Sequence, residues 1–233
     1  MIIVTDLSKH FGNTMAVDGV NLEVRKGGLF GLLGPNGSGK TTMIRMLTGQ
    51  IRPTAGEISV HGIDVLANPL TVKELTGIVP EQETPPSFLT AEEYLYFVAK
   101  IRKLENLEEQ CEWWFSYLDF AGQKDVLCKD LSRGTRQKLM LAQAFLHDPE
   151  LVIIDEPLIN LDPLMQRKVK DFLQDYVKRG GTVFISTHIL EIAREICTDI
   201  GIIYKGKLVF SGRMDDSAIG SRPLEEFFLE LVN

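Results

Sequence analysis

The segment Gly34 to Thr41 restricts the possible folds of this 233-residue chain more than any other part of the sequence. Its residues, GPNGSGKT, fit the pattern G-x-x-x-x-G-K-[ST]. An apolar, strand-length run, Leu29–Leu33, precedes the segment, and a helix is predicted to follow from about Gly39 to Gly49. A buried strand, a glycine-rich turn and a helix in this order predict a parallel, α/β type of core.

The residue types in this turn suit the binding of phosphate groups. Glycines let backbone N–H groups point inward around an anion, and the following helix offers its positive N-terminal end. Lys40 adds a cation that reaches the β and γ phosphates of a nucleotide, and the Thr41 hydroxyl is a possible Mg²⁺ ligand. The predicted binding residues are Gly34, Pro35, Asn36, Gly37, Ser38, Gly39, Lys40, Thr41 and Thr42.

Two acidic residues follow a second apolar run, Leu151–Ile154. The ends of parallel strands emerge at the edge of the sheet where ligands bind. Adjacent residues point to opposite sides of a strand, so Asp155 and Glu156 are expected to do different work. Asp155 is placed to hold Mg²⁺, and Glu156 to polarise a water molecule. A solvated acidic turn before Pro157 is the alternative, and the phosphate loop earlier in the chain argues against it.

Composition and charge exclude several classes of protein. Hydrophobic residues make up 44% of the chain and charged residues 24%, as in soluble globular proteins, and no apolar run reaches the roughly 18 residues of a membrane span. The start, Met1 to Asp6, shows no secretory signal. A net charge of −7 argues against a nucleic-acid partner. Three separated cysteines without a C-x-x-C motif indicate free thiols in a reducing cytosol.

The α/β pattern is interrupted in the middle of the chain. Residues 83–148 read as mostly helical, whereas 1–82 and 149–233 read as an α/β core. No linker rich in Pro, Gly or Ser separates independent units. The sequence therefore predicts one domain, 1–233, that consists of this core and an inserted helical subdomain.

The segment Leu131 to Gln137, LSRGTRQ, resembles the signature motif of ABC-type ATPases, usually LSGGQ. Over nearly its whole length the chain resembles the ATP-binding subunit of an ABC transporter, most closely of the ABC-2-type exporter group. The resemblance implies a P-loop NTPase core of ABC-ATPase type. That fold has a mixed sheet with helices, an N-terminal antiparallel β subdomain and an inserted helical subdomain.

The resemblance also implies roles for single residues. Lys40, Glu156 and His188 would be catalytic, with His188 as the switch histidine that senses the γ-phosphate. Phe11 would stack on adenine, and Val17 belongs to the same nucleotide-binding set. Two subunits of this family pack head to tail, so Ser132 and Gly134 would contact the ATP that the partner binds, and Asp162 would belong to the D-loop at the same interface. Thr41 and Asp155 would hold Mg²⁺.

Some positions depart from the family pattern. Arg133 and Thr135 replace the usual Gly and Gln of the signature. Glu81 stands after Pro80, where a metal-binding glutamine is usual, and Gln82 comes next. Either Glu81 binds Mg²⁺ directly, as a carboxylate oxygen can, or a one-residue offset places Gln82 there. The sequence leaves these two alternatives open.

Two partners are implied by the resemblance: a second ATP-binding subunit, either another copy or a paralogue, and a separate transmembrane permease. The chain would then lie on the cytoplasmic face of the membrane and power transport, in the direction of export. The segment from Phe88 to Arg102 corresponds to the contact with the permease. Its candidate residues are Phe88, Leu89, Tyr94, Phe97 and Val98, although packing within the helical subdomain is the favoured interpretation for any single one.

Two other functions remain open at this stage. A soluble ABC ATPase, for example of the cluster-assembly type, can also be a single cassette of this length. A nucleotide-dependent binding module that hydrolyses little ATP would fit the departure at Glu81 and that at Leu158, which replaces a threonine common after the Glu-Pro pair. The intact residues Lys40, Asp155, Glu156 and His188 argue against it.

Overall fold

The computed structural model describes residues 1–82, 85–216, 219 and 223–232. Residue 83, the expected start of the helical insertion, lies outside this range. The strands are β1 (Ile2–Phe11), β2 (Thr14–Val24), β3 (Leu29–Leu33), β4 (Ala55–Val60), β5 (Ile63–Asp64), β6 (Thr76–Val79), β7 (Leu151–Asp155), β8 (Thr182–Thr187), β9 (Asp199–Tyr204) and β10 (Lys207–Arg213).

Helices occupy both the core and the middle of the chain. They are α1 (Lys40–Leu47), α2 (Pro69–Leu75), α3 (Ala91–Ile101), α4 (Leu107–Tyr117), α5 (Arg133–Phe145), α6 (Pro163–Lys178), α7 (Leu190–Ile196) and α8 (Leu224–Val232). None of the helices in the described part of the chain is both long and apolar enough to cross a membrane.

The strands form two sheets of different construction. The first has the order β2-β1-β4-β5, and all its neighbours are antiparallel. The second has the order β10-β9-β3-β8-β7-β6, in which only the β9–β10 hairpin is antiparallel. Every residue of β3, β7 and β8 is buried, because helices or the first sheet cover both faces of these strands.

The parallel strands fix the position of the functional segments. Because β3, β7 and β8 run in the same direction and pair with each other or with a common neighbour, the residues that follow them meet at one edge of the sheet. The phosphate loop follows β3, Glu156 follows β7 and His188 comes after β8. The fold thus brings together residues that are more than 100 positions apart in sequence.

Three elements between the phosphate loop and the helical segment were not predicted from the sequence: β5, α2 and β6. Helix α2 has seven residues, of which only Val72 is buried, so it lacks a periodic apolar face. Strand β6 has four residues, TGIV, and adds to the sheet edge by parallel pairing with β7. It ends one residue before Pro80, which places Glu81 at the same edge as the phosphate loop.

Between β6 and β7 the described residues form helices, short 3₁₀ turns and one isolated β-bridge that joins Thr90 to Leu127. A capping box of Thr90 and Glu93 begins α3, as the sequence predicts. Aromatic rings join α4 to the two longest helices: Trp114 lies 5.9 Å from the ring of Phe145 on α5 and 5.3 Å from that of Phe172 on α6. This helical segment therefore shares one apolar core with the parallel sheet.

The helix α5 approaches the edge strand β6 so closely that only glycine fits at residue 77. A Cβ atom on Gly77 would overlap the backbone carbonyl of Ala144. We predict that Gly77→Ala lowers the free energy of unfolding by about 1–3 kcal/mol. The control is Gly122→Ala, because a Cβ atom at Gly122 meets nothing within 4 Å and the change should be nearly neutral. Urea unfolding of both variants measures the difference, and equal stability would show that α5 and β6 are not in tight contact.

Candidate nucleotide-binding site

The phosphate loop is a tight turn whose glycines are required by geometry. Gly37 and Gly39 adopt left-handed φ angles of 78° and 112°. A Cβ atom on Gly39 would lie 2.5 Å from the carbonyl oxygen of Ala16, and one on Gly34 would overlap the carbonyl of Ile203. The loop is thus wedged between β2 and β9, at the N-terminus of α1, which begins with Lys40 and also holds Thr41 and Thr42.

Lys40 points back into the loop that precedes it. Its ammonium group donates hydrogen bonds to the carbonyl oxygens of Gly34 at 2.8 Å and Pro35 at 3.2 Å. Burial lowers the pKa of Lys40, and the nearby carboxylates of Glu156, Asp155 and Glu81 oppose that shift. A cation is therefore held at the centre of the loop, where a phosphate chain would bind.

Ser38 provides independent support for an anion at this position. Its side-chain hydroxyl is buried and has no hydrogen-bond partner among the described residues. A buried hydroxyl group without a partner costs free energy, so proteins keep one only for a reason such as a ligand. The Ser38 hydroxyl lies beside Gly34, since a Cβ atom on Gly34 would be 2.5 Å from it, and it is available as a hydrogen-bond donor.

Asp155 ends β7 in a buried position. It accepts a short hydrogen bond from the hydroxyl of Ser186 on β8. Burial raises the pKa of Asp155, while hydrogen bonds from Ser186 and Thr41 act in the opposite direction. A desolvated carboxylate beside the hydroxyl of Thr41 supplies the hard oxygen donors that Mg²⁺ prefers.

Glu156 has an unusual backbone conformation. Its φ angle is 54°, in the left-handed region that residues other than glycine rarely adopt. Its backbone N–H donates to the carbonyl of Ser186 at 3.2 Å, and its Oε1 lies 2.7 Å from Nδ1 of His188. Strained residues of this kind are concentrated in functional sites. The structure thus joins Glu156, which follows β7, and His188, which follows β8, in one hydrogen bond.

Glu81 and Gln82 differ in position. The Thr41 hydroxyl donates to Oε2 of Glu81 at 3.3 Å, so Glu81 lies beside the hydroxyl expected to bind Mg²⁺. Glu81 and Gln82 are both exposed, and in the described residues the hydrogen bond to Thr41 involves Glu81 and not Gln82. No group of three or more His, Cys, Asp or Glu side chains forms a metal site in the described residues. The oxygen donors here are one hydroxyl and two carboxylates, which suits a Mg²⁺ ion that keeps several water ligands.

The two residues predicted near the adenine occupy different environments. Phe11 ends β1 with half of its surface exposed, and the ammonium of Lys9 lies 5.1 Å from its ring centre. Val17 is fully buried, and a Cβ atom on Gly39 would touch it at 3.5 Å. Phe11 is therefore available to a ligand, whereas the structure places Val17 behind the phosphate loop as its support.

The signature and D-loop residues lie at the N-termini of two helices. The Ser132 hydroxyl caps α5 by accepting from the Thr135 N–H at 3.1 Å, and Asp162 caps α6 by accepting from the Met165 N–H at 3.0 Å. Gly134 packs on the D-loop, since a Cβ atom on it would lie 2.7 Å from the carbonyl oxygen of Asn160. In the described residues, no hydrogen bond joins these segments to the phosphate loop of the same chain.

Two glutamines that support the site were not singled out in the sequence. Gln137 is buried and donates to the carbonyl of Pro157 at 3.2 Å. Gln166 donates to the carbonyls of Leu158 and Leu161, both at 3.1 Å. The signal for Gln137 was present, as the last residue of the retained L-S-x-G-x-x-Q pattern, whereas Gln166 has no such signal.

Known proteins resemble this chain in sequence and in fold. Residues 17–159 match the family model described as ABC transporter. The bacitracin transport ATP-binding protein BcrA of Bacillus licheniformis is 36% identical and aligns with all of this chain and 76% of its own length. The Nod factor export ATP-binding protein I of Rhizobium meliloti is 34% identical over 96% of this chain and 68% of its own length.

One similar protein is much longer. The probable multidrug ABC transporter ATP-binding protein YbhF of Escherichia coli is 33% identical over the whole chain, which spans only 42% of the length of YbhF. Solved structures resemble the fold. An ATP-binding subunit of an ABC transporter matches with a TM-score of 0.92 and 29% identity over 99% of both chains.

The MJ0796 cassette, in a dimeric post-hydrolysis state with ADP and Pi, matches with a TM-score of 0.85 over 92% of this chain and 99% of its own. At 22% identity, that likeness bears on the fold alone. The predicted fold class is confirmed, as is the predicted resemblance to ATP-binding subunits of exporter type. The chain belongs to the ABC transporter family.

Proposed function

We propose that the chain binds ATP with Mg²⁺, hydrolyses the ATP to ADP and phosphate, and thereby powers export through a separate membrane protein. The observation that carries the proposal is the convergence of Lys40, Asp155, Glu156 and His188 at one edge of the parallel sheet. Family membership supports the same activity.

Each residue of the proposed site has a separate role in ATP hydrolysis. Backbone N–H groups of the loop and the Lys40 ammonium bind and orient the β and γ phosphates. Glu156 orients a water molecule for attack on the γ-phosphate and accepts its proton, while His188 holds the Glu156 carboxylate through the 2.7 Å contact. Thr41, Asp155 and Glu81 would hold Mg²⁺, which when bound neutralises charge on the phosphates.

A second ATP-binding subunit completes the site in this proposal. Ser132 and Gly134 lie at the N-terminus of α5, where small residues and free N–H groups suit a phosphate. They would contact the γ-phosphate held by Lys40 of the partner, with Asp162 at the same interface. The partner is a second copy or a paralogue. ATP would hold the two subunits together, and hydrolysis would release them.

Glu156→Gln tests the catalytic assignment. The amide keeps the shape of the carboxylate but cannot accept a proton, so ATP binding should persist while turnover falls by about 100-fold or more. Phosphate release gives the turnover, and size-exclusion chromatography with ATP should show an accumulated dimer. The matched control is Glu150→Gln, at an exposed glutamate paired with Lys26, which should hydrolyse ATP normally. Normal turnover in Glu156→Gln would remove Glu156 from the catalytic role.

Paired variants decide between Glu81 and Gln82 as the metal ligand. Since Glu81 lies beside Thr41, Glu81→Gln removes a charged oxygen donor, and the Mg²⁺ concentration for half-maximal hydrolysis should rise several-fold. Gln82→Ala should leave that concentration unchanged. A Mg²⁺ titration of both variants measures the effect, and the opposite pattern would assign the role to Gln82.

The contact with the membrane protein is proposed at an exposed apolar surface. Phe97 and Ile101 lie one helical turn apart on α3, with 51% and 61% of their surfaces exposed, and Phe88 is 76% exposed. Beyond Ile101, a cavity of about 600 Å³ continues this surface to Leu70 on α2. Tyr94 and Val98, by contrast, pack against the apolar core, and Leu89 is partly buried. An apolar element of the partner would bind here and hold the chain at the cytoplasmic face.

Charged substitutions on that surface should abolish binding to the membrane protein and leave ATP hydrolysis intact. We expect the double variant Phe97→Arg, Ile101→Arg to lose co-purification with a polytopic protein from gently solubilised membranes, while its ATPase activity persists. Ile3→Arg is the control, because Ile3 is 53% exposed on β1, away from α3. Co-purification unaffected by the double variant would place the contact elsewhere, and reproducible enrichment of soluble partners alone would contradict the transport function.

A further inference from the structure

The segment that follows Glu156 is in contact with α5, the helix that carries the signature motif. The side chain of Gln137, on α5, is 2% exposed and donates to the carbonyl of Pro157, the residue directly after Glu156. Further along the same segment, the backbone of Gly134 is in contact with the carbonyl of Asn160. Gln137 and Gly134, which are close together on α5, thus lie against two residues of this segment, Pro157 and Asn160.

The backbone of the segment requires such support. Glu156 and Asn160 both adopt left-handed φ angles, of 54° and 70°, which cost residues other than glycine about 1 kcal/mol or more each. Gln166 on α6 holds the middle of the segment through the carbonyls of Leu158 and Leu161. Loss of one of these bonds therefore allows a strained turn to relax toward an ordinary conformation.

From this arrangement we infer that Gln137 is a positioning residue for Glu156. Its bond to the Pro157 carbonyl fixes where the Glu156 backbone turns, and hence where the Glu156 carboxylate meets His188. Gln137 itself is buried, so its effect on the reaction is exerted through Pro157 and Glu156. The inference rests on the proposed function only in giving Glu156 its catalytic task, since the contact is a property of the free chain.

The same bond would connect two nucleotide sites. Ser132 caps α5 roughly one and a half turns before Gln137 on the same helix. In the proposed dimer, Ser132 would contact the ATP bound by the partner, whereas Glu156 acts on the ATP of its own chain. A shift of α5 on contact with the partner's ATP is thereby passed through Gln137 to the Glu156 of this chain.

The position of Glu156 can be read in the nucleotide-free protein by NMR of its histidines. The chain has four histidines, so the imidazole spectrum is simple, and the spectrum of His188→Asn assigns the His188 signals. We expect Gln137→Leu to move these signals toward their positions in Glu156→Gln. The matched control is Gln143→Leu, which removes an equivalent bond from the same helix to the carbonyl of Ile78. His188 signals unchanged by Gln137→Leu would overturn the inference.

Turnover provides the second readout. Gln137→Leu should lower kcat for ATP by about 10- to 100-fold, as expected when a reacting group is slightly displaced, with little change in KM. Gln143→Leu should change neither, although both variants lose one hydrogen bond of α5. Equal losses of kcat in the two variants would show a structural effect of α5 and would contradict a positioning role for Gln137.

Different results would contradict the proposed function and the positioning role of Gln137. A wild-type protein that binds ATP but does not hydrolyse it, alone or with its partner subunit, would contradict the proposed function. The His188 signals would still decide whether Gln137 holds Glu156 in place. Conversely, active wild-type protein with identical His188 signals in wild type and Gln137→Leu would leave the proposed function intact and remove the inference.

Discussion

Strands β2 and β9 pack closely against the phosphate loop, and this packing constrains where the N-terminal sheet and the C-terminal hairpin can lie. Gly39 lies against the carbonyl of Ala16 in β2, and Gly34 against that of Ile203 in β9. The Gly206 N–H donates to the Ser38 carbonyl at 3.0 Å, so the β9–β10 turn also holds the loop. The N-terminal sheet and the C-terminal hairpin therefore meet at the turn that binds phosphate, and a side chain at either glycine would separate them.

The buried charged groups at this edge of the sheet determine how strongly it can interact with phosphate. Desolvation lowers the pKa of Lys40, and the nearby carboxylates oppose that shift. Desolvation also raises the pKa of Asp155, and hydrogen bonds from Ser186 and Thr41 oppose that shift. Charges held out of water interact more strongly with a phosphate chain than exposed charges do. The strained turn at Glu156 adds a carboxylate whose direction is set by backbone contacts instead of by solvent.

The sequence predicts the centre of the site well and its surroundings poorly. Lys40, Asp155, Glu156 and His188 follow apolar strands, and parallel strands bring their ends together whatever the details of packing. Helix α2 and strand β6 could not be predicted, because α2 buries only Val72 and β6 is held by pairing with a strand 75 residues away, as in Thr76 with Leu151. The contacts of Glu81 with Thr41 and of Gln137 with Pro157 depend on the same long-range placement.

In the proposed dimer, one nucleotide lies between the phosphate loop of one subunit and the signature segment of another. A structure of the chain with Mg²⁺ and a non-hydrolysable ATP analogue measures this directly. We expect two chains per pair of nucleotides, with each γ-phosphate within hydrogen-bond distance of Lys40 from one chain and of Ser132 from the other. A γ-phosphate that contacts Lys40 alone, with Ser132 facing solvent in a closed dimer, would contradict this arrangement.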